Sequence, residues 1–146
     1  LVEKLYPAPS DLKALSRISL TKQSKILDVG CGKSLVGMEL IKKGCHVEAI
    51  DCEDSEGRDK LIHFTKMDLN DPGAPIPVDR FDYILLLDVL EHLEEPEEFV
   101  YKIRKLSKGK FPKVIVSVPN IGFFIISSKF CFKKLVFEVR SNDQPL

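Results

Sequence analysis

The ten residues KILDVGCGKS, numbered 25–34, decide the fold. Lys25–Val29 has the length and apolar content of a buried strand. Gly30 and Gly32 stop that strand, and Ser34 is placed to cap a helix that follows. Glycines turn the chain sharply and let its backbone approach a bound molecule without a Cβ clash. The order strand, glycine turn and helix therefore predicts a cofactor site directly after the first strand.

The remainder of the chain alternates apolar runs with amphipathic segments, which favours a parallel α/β sheet. The polar stretch Cys52–Lys60 is too short for a full crossover helix. The fold class predicted is α/β, an open and mostly parallel Rossmann-like sheet flanked by helices. The further predicted strands are His46–Ile50, Leu61–Thr65, Tyr83–Leu87, Lys113–Val118 and Leu135–Val139; the predicted helices are Asp11–Ile18, Ser34–Lys43, Pro96–Lys108 and the apolar segment Ile121–Phe132.

Length and composition fit one globular domain. The chain has 146 residues, of which 44% are hydrophobic and 30% charged, and 22 basic residues balance 22 acidic ones. Zero net charge gives no signal for nucleic acid or an anionic membrane. Four cysteines form no C-x-x-C pair, so we expect free thiols in the cytoplasm and no metal site. We also expect no signal peptide and no membrane span.

Two acidic positions continue the pattern that begins at the glycine turn. Asp51 ends the second predicted strand, where a carboxylate can accept hydrogen bonds from both hydroxyls of a ribose. Asp68 follows the third strand beside Leu69, where an acid could bind an adenine amino group while its apolar neighbours flank the ring. The sequence Asn70-Asp71-Pro72 is also typical of a capped turn, which leaves Asp68 a purely structural alternative.

Two other glycine-rich motifs fail on one required position each. A dinucleotide fingerprint, G-x-G-x-x-G, would need glycine where Leu35 stands. A phosphate-binding P-loop would need its first glycine at Leu27, in the middle of the strand. A loop that is not tuned to a diphosphate suits a cofactor with a sulfonium and an amino acid tail.

Three stretches together resemble the class I S-adenosylmethionine (SAM)-dependent methyltransferases. Residues 25–32, KILDVGCG, are similar to the first motif of that family, and residues 81–93, FDYILLLDVLEHL, to its fourth-strand motif. Residues 116–120, VSVPN, resemble the segment after its fifth strand. The forms of the last two stretches point to the branch with ubiquinone-biosynthesis O-methyltransferases and the type 11 and type 23 methyltransferases. The resemblance covers about residues 22–120.

The resemblance implies a SAM site, S-adenosylhomocysteine as product and an unidentified, small-molecule methyl acceptor. Asp28, Gly30 and Gly32 would line the methionine part, with Cys31 inside the same turn. Asp88 would line the pocket near the methionine part or the acceptor. The positions implied for the ribose and adenine are Asp51, Cys52, Asp68 and Leu69.

Glu91-His92 is the candidate for acid–base work. An imidazole titrates near neutral pH, so His92 could deprotonate an acceptor hydroxyl. The alternative is that the pair starts a helix and holds its neighbours by hydrogen bonds. Asp88-x-x-Glu91-His92 also partly matches a metal motif of small-RNA methyltransferases, but no histidine follows it in the chain, so no metal is expected.

The resemblance divides the single domain 1–146 into three parts. Residues 1–21 form a helical lead-in, residues 22–120 the cofactor-binding core, and residues 121–146 an incomplete acceptor-side segment that lacks the last strands of the fold. A second copy or a partner could cover that segment. Methyl transfer is the predicted function; the alternatives are an NAD(P)-dependent oxidoreductase domain and a non-catalytic SAM-binding or interaction module.

Overall fold

The computed structural model describes Leu15, residues 19–55, 62–107 and 112–119, and the strand 134–139. Six strands form one sheet, and a helix lies on each of its faces. The strands are β1 (Lys25–Val29), β2 (His46–Asp51), β3 (His63–Lys66), β4 (Tyr83–Leu87), β5 (Lys113–Pro119) and β6 (Lys134–Val139); the helices are α1 (Leu35–Lys42) and α2 (Pro96–Leu106), with short 3₁₀ turns at Val78–Arg80 and Leu90–His92.

The strand order confirms the predicted fold class. It runs β3-β2-β1-β4-β5-β6, with β1 to β5 parallel and β6 antiparallel to β5. The order reverses between β1 and β4, because β2 and β3 lie on one side of β1 while β4 and the later strands lie on its other side. Parallel neighbours need crossover connections. α1 forms the connection from β1 to β2 and α2 the one from β4 to β5, whereas residues 67–82, between β3 and β4, contain only the 3₁₀ turn Val78–Arg80.

Each face of the sheet has its own core, because side chains alternate along a strand. Leu27 and Ile84 point into the core that α2 covers through Phe99 and Ile103. Their neighbours Ile26 and Leu85 point into the opposite core, which α1 covers through its buried stripe Val36 and Leu40. β1 and β4 are thus buried on both faces, as their continuous apolar runs predict.

Most predicted element bounds differ from the structure by one or two residues. β4 has the predicted bounds, β5 and β2 are one residue longer, and α2 ends two residues before Lys108. One local prediction is wrong: the Ser34 side chain makes no capping hydrogen bond to α1. Ser34 adopts a left-handed conformation and its hydroxyl bonds to a buried acid instead.

The C-terminal part contains a strand that adds to the sheet. Val116 of β5 is paired with Phe137 of β6, so at least one strand follows the fifth. The predicted helices over 11–18 and 121–132 lie outside the described residues, apart from Leu15, which is buried in the α1-side core. An incomplete acceptor side, and a second copy or partner covering it, therefore stay predictions. Among the described residues, no helix has the length and apolar character needed to cross a membrane.

Candidate cofactor site

The candidate site lies at the carboxyl ends of β1 and β4, where the strand order reverses. A reversal of this kind opens a crevice beyond the strand ends, and open α/β sheets bind ligands there. The glycine turn follows β1 and Asp88 follows β4. The two segments touch, because Val89 packs against Gly30. The structure thus brings together the residues predicted for the methionine part of the cofactor.

Gly30 is required by packing against Val89, two residues after β4. Its φ angle of +65° lies in the left-handed region, and a Cβ there would meet Val89 Cγ2 at 2.5 Å. The N–H groups of Gly30 and Cys31 both donate to the carbonyl of Ile50, at 2.8 and 3.3 Å. The first half of the turn is therefore fixed against β2 and against the segment that follows β4.

Gly32 has a different environment, although its φ of +51° is also left-handed. A Cβ on Gly32 would find no atom within 4 Å, so this part of the backbone borders open space. Its N–H donates to Asp51 Oδ2 at 2.8 Å. The half-buried thiol of Cys31 donates to the Gly32 carbonyl at 3.6 Å. Gly32 is thus the place where a ligand can approach the turn most closely.

Asp28 lies beneath the turn, with only 4% of its surface exposed. The Ser34 hydroxyl donates to Asp28 Oδ2 at 3.0 Å, and Ser34 itself is 1% exposed. A Cβ on Gly37 would lie 2.5 Å from Ser34 Oγ and 3.4 Å from Asp28 Oδ2. Glycine at position 37 therefore lets the first turn of α1 pack directly onto this buried acid.

The position of Asp28 sets the electrostatic character of the turn. The amino end of a helix carries a partial positive charge that usually attracts anions. Here the Asp28 carboxylate already lies against the first turn of α1. In its ionised form, Asp28 would repel a phosphate group and attract a cationic group at that helix end.

Asp51 is half-buried at the end of β2. Its Oδ2 accepts the Gly32 N–H and its Oδ1 accepts the Glu53 N–H at 3.1 Å. A carboxylate has about four lone-pair sites, and these two N–H groups and the Cys52 thiol occupy three of them, which leaves a site for a further donor. The predicted ribose acid is consequently held in place beside the open glycine of the turn.

Cys52 is exposed next to Asp51. Partial desolvation, a hydrogen bond to the Asp51 carboxylate and the negative charges of Asp51 and Glu53 raise the pKa of the Cys52 thiol. The thiol is therefore neutral near pH 7 and a poor nucleophile. Contact with the cofactor, rather than covalent chemistry, is the role its surroundings permit.

Asp68 caps its own turn. Its Oδ1 accepts the Asn70 N–H at 2.9 Å, and Asn70 Oδ1 in turn accepts the Glu94 N–H at 3.0 Å. Asp68 is exposed, while the following Leu69 is half-buried and packs against the α2-side core. The turn-capping alternative is thus realised, and an adenine contact from Asp68 and Leu69 stays a prediction.

Asp88 has a strained backbone at the end of β4. Its φ is +57°, a left-handed value that residues other than glycine seldom adopt. Its N–H donates to the Ser117 carbonyl at 3.0 Å, and the Ser117 hydroxyl donates to Asp88 Oδ1 at 3.2 Å. Strain of this type is concentrated at ligand sites, and here β5 supports it.

His92 follows on the exposed 3₁₀ turn, four residues after Asp88. Its backbone N–H donates to the Val89 carbonyl at 3.0 Å. Within the described ranges, no group of three or more histidine, cysteine or acidic side chains is placed to hold a metal ion. The catalytic role of His92 stays a prediction.

A second groove, of about 620 Å³, lies at the opposite, amino-terminal edge of the sheet. Glu48 there accepts a hydrogen bond from Arg80 at 3.1 Å and lies 3.8 Å from His63. Burial raises the pKa of the Cys45 thiol in its wall. The full length of the strands separates this groove from the glycine turn, so it takes no part in the candidate site.

The sequence model of a family described as a methyltransferase domain matches residues 5–129. This match covers most of the chain and includes the glycine turn, Asp51, Asp88 and β5. The chain belongs to the class I SAM-dependent methyltransferase family. The resemblance read from residues 25–32, 81–93 and 116–120 is thereby confirmed.

Known proteins similar to this methyltransferase domain differ in their named activities. A ubiquinone biosynthesis O-methyltransferase of Rickettsia bellii is 29% identical over 124 residues, or 81% of this chain and 48% of its own. The S-adenosyl-L-methionine-dependent Diels-Alderase iliD of Neonectria sp. is 31% identical over 114 residues, or 78% of this chain and 43% of its own. The chain thus spans about half the length of these curated relatives.

A solved structure shares the fold at low identity. A Burkholderia thailandensis 1,6-didemethyltoxoflavin-N1-methyltransferase, with 1,6-didemethyltoxoflavin and S-adenosylhomocysteine bound, superposes with a TM-score of 0.59. The identity is 16%, over 77% of this chain and 51% of that one. At this identity the likeness establishes the Rossmann-like fold of the methyltransferase domain and nothing about its acceptor.

Sequence reasoning missed three residues that shape the site of the methyltransferase domain. Gly37 is needed for close packing at Asp28, and Val89 fills the space beside Gly30. Ser117 supports Asp88 from β5. Only Ser117 carries a visible signal, because it is the one polar residue among the apolar residues 114–118.

Proposed function

We propose that this methyltransferase domain binds SAM at the carboxyl ends of β1, β2 and β4 and serves methyl transfer to a small-molecule acceptor. One observation carries the proposal: Asp51 Oδ2 accepts the N–H of Gly32 at 2.8 Å. This bond puts a carboxylate suited to ribose hydroxyls next to a backbone segment that borders open space. S-adenosylhomocysteine would leave from the same place.

The residues proposed to hold SAM come from four segments. The turn and the acid beneath it face the methionine part, the end of β2 faces the ribose, and the loop after β3 faces the adenine. The end of β4 completes the methionine side. The proposed contacts are Asp28, Gly30, Cys31 and Gly32 for the methionine part, Asp51 and Cys52 for the ribose, Asp68 and Leu69 for the adenine, and Asp88 for the methionine ammonium group.

The charge of the turn supports SAM over a nicotinamide dinucleotide. Dinucleotide sites place the diphosphate at the amino end of the helix after β1. In this chain Asp28 already lies against that helix end, and a carboxylate repels phosphate. The sulfonium and ammonium groups of SAM are cations, so the same carboxylate attracts them.

The reaction proposed is a displacement at the sulfonium methyl, which SAM supplies as an electrophile when it is bound. The domain then has to orient the acceptor and, where the acceptor carries an ionisable proton, remove it. We propose His92 as the base that takes this proton, because it is exposed on the turn that follows Asp88.

Replacing His92 by glutamine should lower methyl transfer to a hydroxyl acceptor about 100-fold, the usual contribution of a general base. SAM affinity should stay unchanged, because the proposed cofactor contacts do not include His92. His46→Gln is the matched control, an exposed histidine at the opposite edge of the sheet. Equal transfer rates for the His92→Gln variant and the parent protein would refute the assignment.

A second candidate function is SAM binding without methyl transfer. One relative is named a SAM-dependent Diels-Alderase, a name that refers to SAM but not to methyl transfer. Transfer of a radioactive methyl group to an acceptor pool separates the two candidates. Saturable SAM binding with no transfer to any acceptor would favour the second.

Calorimetric titration tests the cofactor assignment directly. We expect saturable binding of SAM and S-adenosylhomocysteine and no binding of NAD. Circular dichroism in parallel confirms that the protein titrated is folded. A folded protein that binds NAD and neither SAM nor S-adenosylhomocysteine would show that the dinucleotide alternative is correct.

We also propose that the protein works in the cytoplasm. Cys31, Cys45 and Cys52 form no disulfide in the described part of the chain. Free cysteines suit a reducing compartment. Fractionation of cells that express the tagged protein would test the location, and recovery in a membrane or secreted fraction would refute it.

A further inference from the structure

Ser117 lies wholly buried in β5, with 0% of its surface exposed. Its strand neighbours are apolar, and it is paired in register with Leu87, the last residue of β4. A buried hydroxyl needs a hydrogen-bond partner. Ser117 finds it in Asp88, whose Oδ1 accepts from the Ser117 Oγ at 3.2 Å.

The same pair is joined a second time through the backbone. The Asp88 N–H donates to the Ser117 carbonyl at 3.0 Å. Asp88 has a φ of +57°. A strained conformation of this kind persists only when several surrounding contacts hold it in place. Two hydrogen bonds to one buried residue fix both the backbone and the carboxylate of Asp88.

We propose that Ser117 is a positioning residue for cofactor binding. It holds the Asp88 carboxylate, at the edge of the crevice beside the glycine turn, in the orientation that accepts the ammonium group of the methionine part. This inference rests on the proposed function, since it assumes that SAM occupies the crevice. A carboxylate fixed before the ligand arrives loses no side-chain freedom on binding, which favours affinity.

The test compares two thioethers that differ in the amino acid tail. S-adenosylhomocysteine carries this tail with its ammonium group, whereas methylthioadenosine has the same adenine, ribose and neutral sulfur and a methyl group in place of the tail. Ser117→Ala should weaken S-adenosylhomocysteine binding about 10-fold and leave methylthioadenosine affinity unchanged. A general disturbance of the site would weaken both ligands to the same degree and would overturn the proposal.

A double-mutant cycle provides a second test of whether Ser117 affects SAM binding through Asp88. Asp88→Asn removes the charge and retains a residue that tolerates the left-handed conformation. In that background Ser117→Ala should cause no further loss of SAM affinity, because its effect passes through the Asp88 charge. Additive losses would overturn the proposal.

SAM binding by the parent protein distinguishes a failure of the proposed function from a failure of the role proposed for Ser117. If the folded parent protein fails to bind SAM, the proposed function is refuted and this inference with it. If the parent binds SAM and Ser117→Ala binds it equally well, only the role of Ser117 is refuted. Ser117→Thr, which restores a hydroxyl, should recover SAM affinity if the variant has the thermal stability of the parent protein.

Discussion

Asp51→Ala should weaken SAM binding by about 3 kcal/mol, the contribution of hydrogen bonds to a charged group, which is roughly 150-fold in Kd. The carboxylate would accept bonds from the ribose hydroxyls, and alanine offers no acceptor. The same substitution removes the acceptor for the Gly32 N–H. Calorimetric titration with SAM measures the effect, and unchanged affinity would refute the ribose role.

Two further variants make the Asp51 result specific. Asp51→Asn keeps one oxygen for the Gly32 N–H and loses the charge. Its SAM affinity should therefore lie between that of the parent protein and that of Asp51→Ala. Asp79→Ala removes an exposed acid from the 3₁₀ turn before β4, at the opposite edge of the sheet, and should bind SAM normally. Equal weakening by Asp79→Ala would mean that general charge, and not the ribose contact, determines the affinity.

Gly30→Ala should destabilise the domain by about 3 kcal/mol, which combines left-handed strain with overpacking. The added methyl would lie 2.5 Å from Val89 Cγ2, and φ is +65°. Thermal unfolding should show a fall in Tm of roughly 10 °C. Val89→Ala in the same protein should recover part of the loss, since it removes the methyl groups that the new Cβ meets.

Gly32→Ala is the matched variant, because it has similar left-handed strain and no neighbour within 4 Å of the added methyl. It should cost only about 1 kcal/mol of stability. The methyl would enter the space proposed for the cofactor, at a steric cost of about 2 kcal/mol or roughly 30-fold in Kd. Loss of folding in Gly32→Ala with normal SAM binding in Gly30→Ala would reverse our assignment of the two glycines.

The central strands β1, β4 and β5 could be predicted from the sequence because they are short, strongly apolar and bounded by clear stop signals, whereas β3 (HFTK) is mostly exposed and its predicted bounds are shifted by up to two residues. Tyr83–Leu87 is the best case: Asp82 and Asp88 flank five apolar residues, and the strand has those bounds. The position of Asp51 could be predicted for the same reason, since the last residue of a parallel strand lies at the carboxyl edge of the sheet, where the site is. Strand periodicity and stop residues are local properties, so they can be recognised in a single sequence.

Interactions between distant residues could not be predicted in this way. Ser34 looked like a helix cap by local rules, yet its hydroxyl bonds Asp28 because the tertiary fold brings a buried carboxylate beneath it. Ser117 and Asp88 are 29 residues apart, and only the pairing of β4 with β5 joins them. The packing need for Gly37 likewise arises only once α1 lies on β1 and β2.

Hydrogen bonds within the protein hold the glycine turn to the end of β2. The Ile50 carbonyl accepts from Gly30 and Cys31, and Asp51 accepts from Gly32. A surface tied down in this way is preorganised, so on binding the conformational entropy lost is mainly that of the ligand. Recognition at this part of the site then resembles a lock and key, and the rate of association there depends on diffusion and orientation rather than on a loop closing.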